Sequence, residues 1–495
     1  MSKKCVIGID VGTSGCKTIA VAVDGEILAS CTETYPLYQP VTGWSEQNPA
    51  DWWQGVQKSV KSVADELSSA EIAGVSFSGQ MHGMVALDKA GRVIRPAILW
   101  NDQRTGKQCD EITAAAGGLD GLLGCSNNMM LTGYTGGKIL WMKQNEPENY
   151  AKTAVILNPK DYIRFLMTGS KETEVSDASG TGLFSVKNRA WSFDLIDKIG
   201  LRRDLFPNCV ESAAQTGAVT AEAAKLTGIR EGTPVIAGGG DAVISTTGMG
   251  LAAPGRVGIT LGTSGVVATG LPGYADNPEG VLQLFCSNTA GGWMAFGCTL
   301  SAAGSYQWFH DKLGGGSSFR ELDDLAAQTP AGADGLLFLP YLTGERCPLF
   351  DAGATGAFLG MTSLTSKGHF ARAVLEGVCY SLKQVYDMIC KASPDIQSNE
   401  IVLAGGGAKS PLWRQLLADI FGLPVKTVYG SAEGGAFGAA LVAGAGCGMW
   451  ANLDTAMKLA KPENETLPNT ENRGIYQSQY DKYVKMYDAL KWSFK

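Results

Sequence analysis

At 495 residues, 45 % of them apolar, the chain is long enough for two or three domains around a large core, and a net charge of −7 disfavours a polyanionic partner such as nucleic acid. Its 64 glycines exceed the usual ~7 % share and sit in turns between short apolar runs, a sign of strand-to-helix corners rather than of disorder. The 12 scattered cysteines show no CxxC spacing and read as reduced and mostly buried; no apolar run reaches ~18 residues and no signal-peptide core follows Met1, so a cytoplasmic protein without a membrane span is expected.

Val6 to Asp10 is a short apolar run ending on a carboxylate, followed by the turn Gly12-Thr13-Ser14-Gly15 and a β-branched strand from Thr18 that closes on Asp24-Gly25. Such a hairpin tip offers several N–H groups to a phosphate, although Gly/Ser/Thr turns also occur where no ligand binds. An anion beside a phosphate turn is unfavourable unless a cation intervenes, which makes Asp10 a candidate Mg²⁺ carboxylate acting through water. Glu26 to Cys31 predicts a third strand. From Pro49, Trp52, Val56, Val60, Val63 and Leu67 recur at helical spacing.

The strand Gly74 to Phe77 runs into Ser78-Gly79-Gln80-Met81-His82-Gly83, a polar loop where α/β proteins place ligands. Another strand, Pro96 to Trp100, ends on Asn101-Asp102-Gln103-Arg104. Two strand ends dense in hydrogen-bonding groups favour a polyhydroxylated ligand, with Trp100 as a wall; a satisfied structural His82 and a core Trp100 are the plainer alternatives. Gly137-Lys138 lacks the Ser/Thr and the first glycine of a P-loop, so that reading fails. No chemistry is legible in the polar stretch Glu174 to Thr181. Pro234 to Ala237 leads through three glycines to Asp241 at a helix start, where the carboxylate reads equally as a base or as a helix N-cap.

Small residues from Gly248 to Gly255 mark a boundary, giving lobes over 1–247 and 255–447 with 448–495 as linker and terminal helix. Half a chain after its first appearance the turn recurs as Gly262-Thr263-Ser264-Gly265, with Thr260 in place of Asp10, which implies two lobes of similar design. Thr299 to Leu313 has a helical pattern. Ile401 to Ala404 runs into Gly405-Gly406-Gly407 and a helix ending at Phe421, where the glycines either admit a ligand or pack a corner. Gly434 to Ala440, rich in small residues, reads as a closely packed helix. Lys461 to Arg473 reads as a polar linker, and Tyr476, Tyr480, Tyr483, Tyr487 and Leu490 line one face of a last helix.

Taken together, Asp10 to Ser14, Ser78 to Gly83 and Trp100-Asn101-Asp102 with Arg104 resemble the FGGY family of carbohydrate kinases, in the actin, Hsp70 and hexokinase ATPase superfamily, and within it the xylulokinase branch. Gly133 to Asn145 is similar to the family's first signature, and Gly356 to Met361 with His369 to Glu376 to its second; His369, opening a helix, is assigned to structure. The resemblance implies an α/β protein of two RNase H-like lobes flanking a cleft that closes about a hinge. It implies ATP and Mg²⁺ as cofactors and a ketopentose, D-xylulose phosphorylated at O5, as substrate. Asp241 is implied as the catalytic base, with Gln80, Met81, His82, Trp100, Asn101 and Asp102 on the sugar. Gly12, Thr13, Ser14, Lys17, Gly262, Thr263 and Gln307 are implied on the nucleotide, with Gly405, Gly406, Gly407 and Ser410 as the adenosine motif. The rivals are a kinase for L-xylulose, L-ribulose or a polyol, and a non-sugar ATPase of the same fold, which leaves the Gln80 to His82 loop unexplained. No nucleic-acid or membrane partner is expected. A homodimer is compatible with a sequence that is silent on oligomeric state.

Overall fold

The computed structural model describes residues 3–67, 70–277 and 279–494. β1 (Lys4–Val11) is central to the first sheet, and its residues from Cys5 to Ile9 are all buried, as expected of a strand covered on both faces. It pairs antiparallel with β2 (Gly15–Ala22), which pairs with β3 (Ile27–Thr34). After α1 (Pro49–Glu66) the chain returns as β4 (Glu71–Gly79), parallel to β1. α1 starts where predicted because Pro49 presets the first turn and the Asn48 side chain accepts from the Ala50 N–H, while Trp52, Val56, Val60 and Val63 bury its inner stripe. α2 (Thr135–Asn145), α3 (Pro159–Thr168), β5 (Gln215–Ala218) and β6 (Pro234–Ile236) complete the lobe, giving the strand order β5-β6-β4-β1-β2-β3. α4 (Asp241–Gly248) then leads out of it.

The second half repeats the plan. β7 (Arg256–Leu261) and β8 (Gly265–Leu271) form the second hairpin, joined by β9 (Gln283–Cys286) and β10 (Trp293–Thr299). α5 (Ala303–Leu313) and the long α6 (Lys367–Ala392) precede β11 (Glu400–Ala404), which lies parallel to β7 as β4 does to β1. α7 (Pro411–Phe421), β12 (Val425–Val428), α8 (Gly435–Gly446) and β13 (Pro462–Thr466) follow, in the sheet order β9-β10-β8-β7-β11-β12-β13. The architecture is the expected pair of RNase H-like α/β lobes. α9 (Arg473–Leu490) docks its tyrosine face on the second lobe, with the Tyr480 hydroxyl donating to Asp387 at 2.6 Å and Tyr483 bonded to Tyr341 at 3.2 Å. Among the described residues no helix is long and apolar enough to cross a membrane.

Two features depart from the sequence reading. Pro462–Thr466, predicted as linker, is an edge strand antiparallel to β12. Its side chains are almost all exposed, so no apolar alternation marks it, and main-chain bonds hold it to the sheet with help from the Asn464 amide on Thr427 Oγ1 at 3.0 Å and the Lys426–Glu465 ion pair at 3.4 Å. The two letter-identical turns also differ in geometry. Val11 pairs with Cys16 across the first, whereas Leu261 pairs with Gly265 across the second, which is therefore one residue tighter.

The lobes interlock through α8, which belongs to the second half of the chain but lies on β1 of the first sheet. A Cβ on Gly8 would stand 2.0 Å from the Ala436 carbonyl oxygen, and one on Gly438 would stand 1.9 Å from that of Ile244 in α4. The small residues are thus required by backbone-to-backbone packing. Gly8→Ala is expected to destabilise the protein by about 3 kcal/mol in chemical denaturation, since neither backbone can withdraw.

Candidate active site

β1 and β4 run parallel and end side by side, with Asp10 in register with Ser78, whose hydroxyl donates to Asp10 Oδ1 at 2.6 Å. Gly239 and Gly240 extend the chain along the same end of β4, so Asp241 emerges beside Asp10 as the first residue of α4. Both carboxylates line a cavity of about 420 Å³ between the lobes, faced by Thr260 and Val266 from the second hairpin and by Gly434 and Gly435 from the start of α8. The N-cap position belongs to Gly240, and the Asp241 carboxylate accepts from the next residue, the Ala242 N–H, at 2.7 Å, with the Met81 N–H also directed at it. Capping, which would engage N–H groups two or three residues on, does not explain Asp241.

Burial and then the neighbouring Asp10 charge push the Asp241 carboxyl up to about 7, against the N–H groups of Ala242 and Met81. Burial likewise raises Asp10, with Ser78 and Lys17 opposing. Two buried acids, with the Asp10 charge raising the proton affinity of Asp241, suit a divalent cation held by one or two carboxylates and completed by water and phosphate, which is how Mg²⁺ is commonly bound. Thr260 and Val266 stand where the first lobe has Asp10 and Lys17, so this pair of charged side chains is confined to the first hairpin.

His82 adopts φ +68°, its ring stacked on Tyr134 at 4.7 Å between centroids. Nδ1 lies 2.6 Å from the Gly180 carbonyl oxygen, which only accepts, so Nδ1 carries the proton and Nε2 is left as an acceptor. Thr135 Oγ1 and Lys138 Nζ both donate to the His82 carbonyl, at 3.1 and 2.7 Å. Burial first, then the Lys138 charge, press the imidazole down to about 3 and keep it neutral at physiological pH. If Nε2 holds a sugar hydroxyl, His82→Ala is expected to raise the sugar KM roughly tenfold, equivalent to ~1–2 kcal/mol, with the nucleotide KM unchanged. In the wild type that KM is expected to stay flat from about pH 5 to 8, because the ordinary imidazole titration is displaced out of this window. Steady-state kinetics in both substrates check both statements.

The other sugar-side candidates divide. Trp100 is 47 % exposed and donates from Nε1 to Thr13 Oγ1 at 2.9 Å, joining that wall to the phosphate turn. Asn101 presents a buried Oδ1 with no partner. Gln80 and Asp102 require correction. Gln80 is fully buried and spends both ends on the hairpin, accepting from Thr13 Oγ1 and donating to the Gly12 carbonyl and to Gln47. Asp102 is fully buried, with Arg104 and the Ser45 N–H filling its two oxygens. Neither can face a ligand; both brace the loops that do. Met81 is also buried, packed under Gly240, and forms the wall behind Asp241.

On the opposite side the second turn joins the head of α5, where the N–H groups of Ala302 and Gly304 donate to the Thr263 carbonyl and that of Ala303 to Gly262. Gly405 and Gly407 press on Leu261, where a Cβ on Gly405 would stand 2.7 Å from its carbonyl oxygen, so this glycine run abuts the second turn. Gln307 lies exposed on α5 and donates its amide to Asp311 at 2.9 Å. Ser410 caps α7 through the Trp413 N–H. Ser14 lies exposed at the first tip, and Lys17 is ion-paired to Glu433 at 2.6 Å beside the start of α8.

Several supporting groups escaped the sequence reading. Ser176, in the stretch whose chemistry was illegible, accepts from the Gly240 N–H at 3.1 Å and from Asn288 at 3.3 Å. Behind it Lys160 is buried among Asp161, Glu174 and Asp177, and Arg164 donates to the Ala237 carbonyl, so the glycine run before Asp241 rests on a fixed polar base. Lys138 was visible in a failed P-loop and within the stretch resembling the family's first signature, but neither gave it a role.

The chain matches the N-terminal domain of the FGGY family of carbohydrate kinases over residues 5–248 and the C-terminal domain over 257–447. It belongs to that family, both of whose domains it carries. It is 39 % identical to the xylulose kinase of Bacillus subtilis, over 99 % of this chain and 97 % of that protein. The structure of xylulose kinase from Rhodospirillum rubrum superposes with a TM-score of 0.91 at 28 % identity, covering 98 % of this chain and 99 % of that one. A structure described as gluconate kinase from Lactobacillus acidophilus also reaches 0.91, at 27 % identity, covering 99 % and 98 %. The chain is thus a sugar kinase, a phosphotransferase.

Proposed function

We propose that the protein uses ATP and Mg²⁺ to phosphorylate D-xylulose at O5, giving D-xylulose 5-phosphate and ADP in the cytoplasm. The observation that carries the reading is Asp241: a carboxylate free of helix capping, tuned towards neutrality, sharing the interlobe cavity with Asp10 and the second hairpin, while Met81 of the His82 loop packs against the adjacent Gly240. In this scheme the 5-hydroxyl gives its proton to Asp241 as its oxygen attacks the γ-phosphorus and the bond to the ADP oxygen breaks. His82 Nε2 and Asn101 orient the sugar, and the glycine turns present N–H groups to the phosphates. Mg²⁺, when bound beside Asp10, supplies charge neutralisation to the phosphate oxygens. Closure of the lobes about α4 and α8 would keep water from the γ-phosphoryl group.

The gluconate kinase likeness shows that overall fold does not select the sugar. A neutral imidazole and an unpartnered amide acceptor suit a neutral polyhydroxylated ligand, which favours a ketose over an aldonate. The test is sugar-dependent ADP release across ketopentoses, polyols and D-gluconate. We expect kcat/KM to be highest with D-xylulose, by at least ~10-fold over its epimers. ADP release that ignores every sugar would replace this reading with that of a non-sugar ATPase.

A further inference from the structure

A turn in the second lobe carries an arginine that neither fold nor packing accounts for. Gly344, at φ +76°, starts it, and the Cys347 N–H ties it to the Cys298 carbonyl on β10 at 3.1 Å. Glu345 is 2 % exposed and points inward, its Oε1 accepting from the N–H groups of Leu300 and Arg346 at 2.7 Å each. One oxygen of the acid adjacent to Arg346 is thus held by backbone, while its Oε2 is buried without a hydrogen-bond partner among the described residues and takes no ion pair from Arg346, whose charge is only one of the weaker influences on that carboxyl. The Arg346 guanidinium is exposed and has no carboxylate, carbonyl or hydroxyl partner among the described residues. Arg95, Arg104, Arg164 and Arg372, by contrast, all hold carboxylates.

Its position is specific. Cys298 and Thr299 pair with Val266 and Gly265, so the turn flanks the end of the second phosphate hairpin. β9, the next strand, sends the Gln283 amide across to the Tyr134 hydroxyl at 3.1 Å, and Tyr134 carries the His82 ring. The Arg346 charge reaches both Tyr134 and His82 as a minor influence, in keeping with a turn that faces the sugar loop.

We infer that Arg346 is a catalytic residue of the second lobe, gripping the phosphoryl group as it passes from nucleotide to sugar. A guanidinium fork fits two oxygens of a tetrahedral or planar phosphoryl group, and a charge held ready beside the phosphate turn needs no rearrangement when negative charge develops. The missing partner of an unpaired arginine on a braced turn is then the transferred group itself. The inference rests on the sugar-kinase reading above.

Arg346→Ala, Arg346→Lys and wild type are compared in D-xylulose-dependent ADP release, and by calorimetry with ADP plus aluminium fluoride in the presence of the sugar. For Arg346→Ala we expect kcat to fall about 100- to 1,000-fold, the sugar KM to stay within about threefold, and the gain in ADP affinity from aluminium fluoride to disappear. The Lys variant should recover part of the rate, and melting temperatures should match, since the side chain has no folded-state partner to lose. A kcat within about threefold of wild type, or a raised sugar KM with kcat intact, overturns the inference; the second would make Arg346 a sugar contact. Wild type is assayed first. Absence of sugar-dependent turnover there would sink the parent reading and this inference with it, whereas normal wild-type turnover beside an unimpaired Arg346→Ala variant sinks only the inference.

Discussion

Asp241→Asn is expected to give a folded protein that binds sugar and ATP normally and turns over at least ~100-fold more slowly, because a general base contributes roughly 10²–10⁴-fold. The same variant carries a second, opposite signature in stability. The Asp241 carboxyl is raised from 3.8 to about 7 by burial and by Asp10, so the folded state holds its proton more tightly than the unfolded chain does. Its stabilising contribution is complete below about pH 4 and is lost progressively as pH rises through about 7. Above that, the ionised group weighs against the fold by a constant amount. Asparagine has no such charge. In metal-free protein at pH 8, Asp241→Asn should therefore be more stable than wild type by about 2 kcal/mol, a figure discounted for the solvent that reaches the cavity, and the gain should shrink towards pH 4. A helix cap would give neither the rate loss nor the stabilisation. Activity is read by ADP release and stability by urea titration at the two pH values. Turnover within a factor of a few of wild type would remove Asp241 as the base.

Residues whose role is set by their neighbours in sequence were legible; residues set by distant partners were not. β1 and its turn could be read because period-2 apolar runs and glycine turns are local signals, and the duplicated Gly-Thr-Ser-Gly pointed to two lobes. Gln80 and Asp102 were misassigned for a physical reason: polar residues at a strand end serve equally to meet a ligand or to brace a loop. The choice depends on Thr13, Gln47, Ser45 and Arg104 arriving from elsewhere in the fold. Ser176 reaches Gly240 across 64 positions, and nothing near either residue announces the bond. β13 was missed because an exposed edge strand leaves no apolar pattern. Buried Lys138, donating to the carbonyls of His82 and Gly133, was judged by the motifs it fell in rather than by the carbonyls it serves.

Asp10→Asn is the complementary case, and its expected effect separates a metal-side carboxylate from a structural one. Asparagine keeps an acceptor for the Ser78 hydroxyl, which lies 2.6 Å from Asp10 Oδ1, so the junction of β1 and β4 should survive and the melting temperature change little. What changes is the second oxygen, replaced by an amide that cannot face a cation or the water bound to it. We expect the Mg²⁺ concentration for half-maximal rate to rise at least ~10-fold and kcat to fall by about 10- to 100-fold, since Mg²⁺ relies on one or two carboxylates. A readout independent of turnover comes from Asp241. The Asp10 charge is the second cause, after burial, of its upward shift, so removing that charge must lower it. In metal-free protein the Asp241 carboxyl, followed by NMR, should titrate near 7 in wild type and clearly lower in Asp10→Asn. A Mg²⁺ titration that superimposes on wild type would take Asp10 out of the metal site, and an unmoved Asp241 would mean that the two carboxylates do not share one field.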